Sequence, residues 1–312
     1  MEFRNLGTSG LRVSVVGLGC NNFGGRLDLA ATQAVIDRAI DAGITLFDTA
    51  DMYGNGGGSE TLMGQSFGAR RKDIVLATKF SWPMSGGEMN RGGSRRYIMQ
   101  AVEASLKRLQ TDWIDLYQLH KQDPLTPMEE TLRAFDDLVR QGKVRYIGVS
   151  NHPAWKVVQA HWISRSGGLE RFQSCQDEYS LLVRDAEKEL APAMQACGMS
   201  LLPYFPLASG LLTGKYRQDE AAPAGTRYAS GGNYMTRYWT DQNWRKVETL
   251  RAFATQRGHT LLELAFSWLA CKPFVASVIA GATKPEQIEA NIKAASWKLT
   301  DAEMTEIDSI TA

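Results

Sequence analysis

Ile44-Thr45-Leu46-Phe47-Asp48-Thr49-Ala50-Asp51-Met52-Tyr53-Gly54 begins as a short apolar run rich in β-formers and ends in polar groups and glycine. The run has the length of one buried strand. Past it, Asp48, Asp51 and Tyr53 lead into Gly54-Asn55-Gly56-Gly57-Gly58, as a strand does when it delivers functional groups into a loop. Alone, the stretch reads equally well as a strand end with a solvated aspartate and a packed tyrosine. The surrounding chain decides between the two.

The same alternation recurs on both sides. Upstream, Phe3 to Val13 reads as a hairpin with Ser9-Gly10 at its turn. Strand ends then fall near Gly19, Asp48, Thr78, Leu119, Val149, Gln176, Tyr204 and Ala280, several of them about thirty residues apart, the size of one strand-helix-strand unit. Helical patterns lie between them: Ala30 to Ala42, stopped by Gly43, then Gly58 to Phe67, Arg95 to Leu109, Met128 to Gln141, Trp155 to Ser164 and Ala186 to Cys197. The last interval is longer. It holds an irregular stretch, Lys215 to Thr240, and helices at Asp241 to Arg257 and Leu261 to Ala270, with further helices at Pro285 to Ala295 and Asp301 to Ile310 after the last strand.

Strands alternating with helices predict a parallel sheet covered by helices. A doubly wound sheet has one hook, Gly17-x-Gly19 after a strand with Asp48 ending the next, but Asn22 occupies its third glycine position. Eight strand ends instead predict an α/β fold of the (β/α)8 TIM-barrel type, with an N-terminal β-hairpin and extra helices near the C-terminus, spanning residues 1–312 as one domain.

Composition narrows the class. Hydrophobic residues make up 44% and charged residues 22% of the 312, an ordinary globular balance. Lys+Arg of 35 against Asp+Glu of 34 gives no basic or acidic field for nucleic acid or an anionic membrane. The start, Met-Glu-Phe-Arg-Asn, lacks a signal-peptide pattern, and the most apolar long stretch, Leu261 to Ala282, contains Glu263, Lys272 and Pro273. Cys20, Cys175, Cys197 and Cys271 have neither CxxC nor metal spacing and read as thiols in a reducing compartment. The expectation is a cytoplasmic enzyme-sized protein without a metal.

Barrels place their chemistry just past the strands. There stand Asp48 and Tyr53, then Lys79 at the end of Asp73-Ile-Val-Leu-Ala-Thr-Lys79, then His120 at the end of Trp113-Ile-Asp-Leu-Tyr-Gln-Leu-His120. An isolated lysine is usually solvated and an isolated histidine usually a hydrogen-bonded structural residue; four such groups at one mouth form an acid-base set. A free tyrosine, with a pKa of about 10, is a poor proton donor at neutral pH. A nearby ammonium is expected to lower that pKa, with Asp48 keeping the lysine charged and placed. An imidazole beside them can orient a carbonyl oxygen.

The motifs Phe47-Asp-Thr-Ala-Asp-Met-Tyr-Gly54, Ala77-Thr-Lys79, Asp115-Leu-Tyr-Gln-Leu-His120, Gly142-Lys-Val-Arg-Tyr-Ile-Gly-Val-Ser-Asn151, Tyr204-Phe-Pro-Leu-Ala-Ser-Gly-Leu-Leu-Thr-Gly-Lys215 and Gly281-Ala-Thr-Lys-Pro-Glu-Gln-Ile-Glu-Ala-Asn291 together resemble the aldo-keto reductases, from Leu6 to about Ser309. The resemblance implies a nicotinamide cofactor and reversible carbonyl reduction. It puts Asp48, Tyr53, Lys79 and His120 on the family's catalytic positions, with Tyr53 as proton donor.

It also implies a cofactor cradle. Ser150, Asn151 and Gln176 match residues that bond the nicotinamide carboxamide, although Ser150-Asn151 before Pro153 also reads as a helix cap. Tyr204 matches the aromatic stacked on the nicotinamide ring, or else is a barrel-core tyrosine. Leu207, Ser209, Gly210, Leu211 and Lys215 match the pyrophosphate segment, with Phe205 where a small polar residue is usual. Gly281, Thr283, Lys284, Gln287 and Asn291 match the adenosine end, Gln287 and Asn291 sharing a helix face. Lys284 implies NADPH, with NADH possible, because lysine meets a 2′-phosphate as a point charge without arginine's fork.

Asn22, Phe23 and Trp82 are the candidate substrate-pocket residues, with His152, Tyr228, Tyr234, Tyr238 and Trp239 as further rim candidates. Aromatics there suit an apolar or aromatic aldehyde, although aromatics also simply close cores. The leading expectation is an NADPH-dependent reductase of small-molecule aldehydes and ketones. Oxidation of a sugar-like alcohol, or a cofactor-binding regulatory role of the kind that potassium-channel β subunits illustrate in this family, are the alternatives.

Overall fold

The computed structural model describes residues 1–85, 87–223, 226, 228–229 and 237–311. Eight strands form one parallel sheet: β3 (Val16–Gly19), β4 (Leu46–Asp48), β5 (Val75–Phe80), β6 (Ile114–Leu119), β7 (Val144–Ser150), β8 (Phe172–Glu178), β9 (Ser200–Tyr204) and β10 (Val278–Gly281). From β3 to β9 each pairs with its sequence neighbour, and β10 pairs with β3 through Val16↔Val278 to Gly19↔Gly281. Between β9 and β10 the ring closes through the segment ahead of β10, where Leu201 N–H donates to Phe274 C=O at 2.7 Å and Ala276 N–H to Leu201 C=O at 3.0 Å. The sheet is a closed barrel, as the eight strand ends predicted.

Helices follow the strands with recognisable local causes. α1 (Leu29–Asp41) starts where Asp28 accepts from the Ala31 N–H, and α3 (Arg95–Leu109) starts on Ser94 in the same way. α2 (Tyr53–Phe67) is regular only after its first five residues. α4 (Met128–Arg140) and α5 (Ala154–Gly167) cover the next strands. The helix expected over Ala186 to Cys197 is shorter: a single turn at Asp185–Glu187 precedes α6 (Leu190–Ala196). Pro192 is the reason, since proline fits only the first turn of a helix, which forces the start to about position 190. α7 (Asp241–Gln256) and α8 (Leu261–Cys271) fill the long interval, and α9 (Pro285–Ala294) and α10 (Asp301–Thr311) end the chain. A capping box between Thr260 and Glu263 opens α8.

Two apolar bodies hold the barrel. The larger lies between sheet and helices. The smaller fills the lower barrel with Leu46, Val75, Ala77, Leu116, Leu202 and Ile279, and the hairpin of β1 (Phe3–Asn5) and β2 (Arg12–Ser14) adds Leu6 and Val13 to it. The hairpin therefore plugs the end away from the candidate site. Side chains alternate along each strand, so Asp48, Lys79 and His120 stand on the same inner face as Leu46, Ala77 and Gln118, nearer the mouth.

Candidate functional site

The upper barrel is charged at its centre. Lys79, completely buried, donates to Asp48 Oδ2 at 2.6 Å and to the Thr49 carbonyl at 2.8 Å. Its Nζ lies 5.0 Å from the centre of the Tyr53 ring, and that ring meets His120 edge-on at 5.8 Å. Asp48, Tyr53, Lys79 and His120 come from two strand ends and two loops, and the fold brings all four together.

Local backbone aims Tyr53. Gly54, Asn55, Gly56 and Gly57 have φ of 68°, 63°, 87° and 109°, a left-handed run that most side chains resist. Gly54 is also jammed: a Cβ there would lie 2.5 Å from Ser59 N and 2.6 Å from Phe23 O. Left-handed non-glycine residues gather at the same rim, Ser81 past β5, Asn151 past β7, and Phe205, Ala208 and Ser209 past β9. Backbone strain of this kind collects where structure is held for function.

Electrostatics assign protonation states. Burial pushes the Tyr53 phenol above its ordinary value; Lys79 opposes this without overcoming it. The expected net lowering is thus absent in the free protein, because taking the phenolate out of water outweighs the ammonium. Lys79 is held above its usual value: burial works against its charge, but Asp48 and Tyr53 overcome that. Burial, with Lys79 adding to it, puts His120 well below the ordinary histidine range, so its imidazole is neutral. Burial and the Asp48 charge raise the Cys20 thiol well above its usual range, which leaves it unreactive.

The residues read as a nicotinamide cradle are mutually bonded. Ser150 Oγ donates to the Gln176 carbonyl at 2.8 Å, Asn151 Nδ2 to the His120 carbonyl at 3.0 Å, and Tyr204 Oη to Asn151 Oδ1 at 2.8 Å. Gln176 turns its Nε2 onto Asp48 Oδ1 at 2.8 Å. Past β9, Ala208–Thr213 forms a tight turn that includes Ser209, Gly210 and Leu211, with Leu207 just before it. Leu211 is wholly buried, so its side chain packs the turn. Lys215 is exposed, 5.1 Å over the Tyr216 ring. Beyond Gly281, Thr283 bonds Gln287 Oε1 through N–H and hydroxyl, Asn291 is buried in α9, and Lys284 caps that helix without a side-chain bond.

The three candidate pocket residues differ. Trp82 lies 6.1 Å from His120 with Lys121 Nζ 4.5 Å over its ring, at the mouth. Asn22 is buried and donates to the Ala282 carbonyl. Phe23 is completely buried in the larger core, so in this structure its ring packs the loop and presents no free face. Tyr228 and Trp239 pack on each other at 4.8 Å, and Trp239 on Trp244 at 4.9 Å, while Tyr238 bonds Glu178. Tyr234 lies outside the described residues. His152, also buried, ties its Nδ1 to the Ser150 carbonyl. Gln118 was not singled out by sequence, yet it bonds Asp48 Oδ1 at 3.2 Å. Its signal was its place two residues before His120, on the same strand face. Among the described residues no His/Cys/Asp/Glu group could hold a metal, and no helix is long and apolar enough to cross a membrane.

The mouth of a parallel eight-stranded barrel thus holds a buried Lys-Asp pair beside a tyrosine and a histidine. The sequence model of the Aldo/keto reductase family matches residues 15–312. The chain is 39% identical over 301 residues to the Probable voltage-gated potassium channel subunit beta of Oryza sativa subsp. japonica, covering 94% of this chain and 91% of that one. It is 38% identical over 304 residues to the Uncharacterized oxidoreductase YrpG of Bacillus subtilis (strain 168), covering 94% and 91%. It is 34% identical over 305 residues to the L-glyceraldehyde 3-phosphate reductase of Escherichia coli (strain K12), covering 94% and 87%. This chain belongs to the aldo/keto reductase family, and is an NAD(P)H-dependent carbonyl oxidoreductase.

Proposed function

We propose that the protein reduces small-molecule aldehydes and ketones to alcohols with NADPH, with Tyr53 donating the proton. The supporting observation is the buried Lys79, bonded to Asp48 at 2.6 Å and 5.0 Å from the Tyr53 ring centre. When bound, the nicotinamide cofactor supplies the hydride. Neutral His120 orients the carbonyl oxygen, and Tyr53 passes its phenolic proton to that oxygen as charge develops there. Lys79 then carries the phenolate's compensating charge, and Asp48 keeps Lys79 in place. The phenol's raised pKa keeps its proton in place at neutral pH until the oxyanion forms.

The residues past the strands fit such a cofactor. Ser150, Asn151, Gln176 and Tyr204 converge beside His120, and Gln176 Oε1 is left without a hydrogen bond among the described residues. Leu207, Ser209, Gly210, Leu211 and Lys215 follow as the pyrophosphate segment, and Gly281, Thr283, Lys284, Gln287 and Asn291 as the adenosine end. Lys284, exposed at an otherwise uncapped N-terminus and paired with no carboxylate among the described residues, supports preference for the 2′-phosphate of NADPH. Trp82 is the substrate-facing aromatic. We read residues 1–312 as one such unit, acting in a reducing cytoplasm where its four cysteines stay free.

Relatives named as channel subunits support a second reading, a cofactor-binding regulatory subunit. One experiment separates them: NADPH and NADH oxidation followed with 4-nitrobenzaldehyde, glyceraldehyde 3-phosphate and neutral sugars, wild type against Tyr53→Phe. NADPH-dependent turnover that collapses in Tyr53→Phe while cofactor affinity holds supports the reductase. Tight NADPH binding without turnover on the whole panel supports the regulatory subunit, and binding of neither cofactor ends both readings.

A further inference from the structure

Both oxygens of Asp48 are engaged. Oδ2 takes the Lys79 ammonium at 2.6 Å, and Oδ1 takes two amides, Gln176 at 2.8 Å and Gln118 at 3.2 Å. Gln118 is completely buried and stands directly beside Lys79 in the β5–β6 register. Its neighbour on the other side is Gly148 of β7, where a Cβ would crowd the Gln118 Cγ at 3.1 Å. The place is thus shaped for a long side chain. An apolar one of the same length would fill it more cheaply, because the Gln118 Oε1 is buried with no hydrogen-bond partner, a costly state for an amide carbonyl. Among the described residues, the one polar contact that offsets this is Asp48.

We infer that Gln118 is a positioning residue that acts on Tyr53 through Asp48 and Lys79. An amide N–H is directional and uncharged. It occupies Oδ1 without competing for a proton, so the carboxylate presents Oδ2 to Lys79 and holds the ammonium at its station beneath the Tyr53 ring. Without this donor the carboxylate would turn and draw Lys79 more strongly, leaving less of the ammonium's field for the Tyr53 phenolate. The inference rests on Tyr53 as the proton donor, and it is distinct from any contact with the cofactor.

Two variants test it. Gln118→Met keeps the volume and removes the donor; Gln118→Glu keeps a donor only while its carboxyl is protonated. Both would be compared with wild type by kcat and KM across pH, by NADPH affinity, and by ultraviolet difference titration of Tyr53 referenced to Tyr53→Phe. For Gln118→Met the expectation is about a tenfold lower kcat, unchanged NADPH affinity, and a Tyr53 titration moved upward by about half a pH unit or more, as losing a hydrogen bond to a charged group would produce. Gln118→Glu should approach wild-type turnover in acid and lose it as the new carboxyl ionises beside Asp48. An unmoved Tyr53 titration in Gln118→Met, or a Gln118→Glu profile parallel to wild type, overturns the inference and leaves Gln118 a packing residue. If wild type reduces no carbonyl, the reductase reading fails by itself, while the Tyr53 titration still decides the role of Gln118.

Discussion

Replacing Lys79 by methionine would remove the cation from a pair with no access to water. Asp48 and Lys79 are 4% and 0% exposed, and their charged atoms are 2.6 Å apart. At that separation the attraction is about 6 kcal/mol with an effective dielectric of about 20. Burying the two ions costs several kcal/mol each, so the intact pair is near break-even. Losing one partner is different, because Asp48 is then stranded with only the amides of Gln118 and Gln176. The expected destabilisation is about 3–5 kcal/mol, a fall in Tm of roughly 5–8 °C in a chain of this size. Thermal unfolding by circular dichroism would measure it, with Asp48→Asn/Lys79→Met beside the single variants. The double variant should recover part of the loss, because the stranded charge is gone. A Lys79→Met protein that melts within about 2 °C of wild type, or a double variant less stable than the sum of the singles, would refute this account of the pair.

Three further outcomes follow from the geometry. Gly54→Ala puts a methyl 2.5 Å from Ser59 N at a φ of 68°; it should cost at least about 2 kcal/mol in denaturant unfolding and lower kcat by displacing Tyr53. Asp51, almost fully buried with an unpartnered Oδ1, has its pKa raised by burial and by Glu60 to about 8. The folded state therefore keeps a proton that the unfolded chain loses near pH 4, so stability falls as pH rises from there to about 8. Asp51→Asn should flatten that slope, seen as Tm against pH, by an amount on the order of a few kcal/mol at the alkaline end. Lys284→Met should raise KM for NADPH about tenfold while leaving that for NADH nearly unchanged, as expected for loss of one phosphate-facing cation; equal changes for both cofactors would take Lys284 away from the 2′-phosphate.

The architecture was legible because it repeats. Most barrel strands are short runs with a buried centre, and several helices carry their own start signal, as at Asp28, Ser94 and Thr260. That Asp48, Tyr53, Lys79 and His120 converge was legible for a related reason: each is a polar group at the end of a buried run, and a closed barrel carries such ends to one mouth. What stayed hidden depends on distances across the barrel. Gln118 looked like one more strand residue until β4 and β6 were seen to point it at Asp48. Phe23 looked like a rim aromatic, but it is pinned under the Tyr53 loop, where the carbonyl of residue 23 crowds Gly54. The sign of the net shift on Tyr53 was equally out of reach, since it depends on how far burial outweighs the nearby ammonium.

Closure of the sheet between Val16–Gly19 and Val278–Gly281 has a bearing on how this protein is made. During synthesis the first barrel strand has no partner on one side until almost the entire chain has left the ribosome. Its exposed main-chain edge must be kept from sticking to other chains throughout that time. Contacts so distant along the chain also form slowly. A nascent chain stopped before β10 would carry Asp48, Tyr53, Lys79 and His120 and still lack a closed barrel to hold them in register, so the appearance of activity would mark the moment the ring shuts.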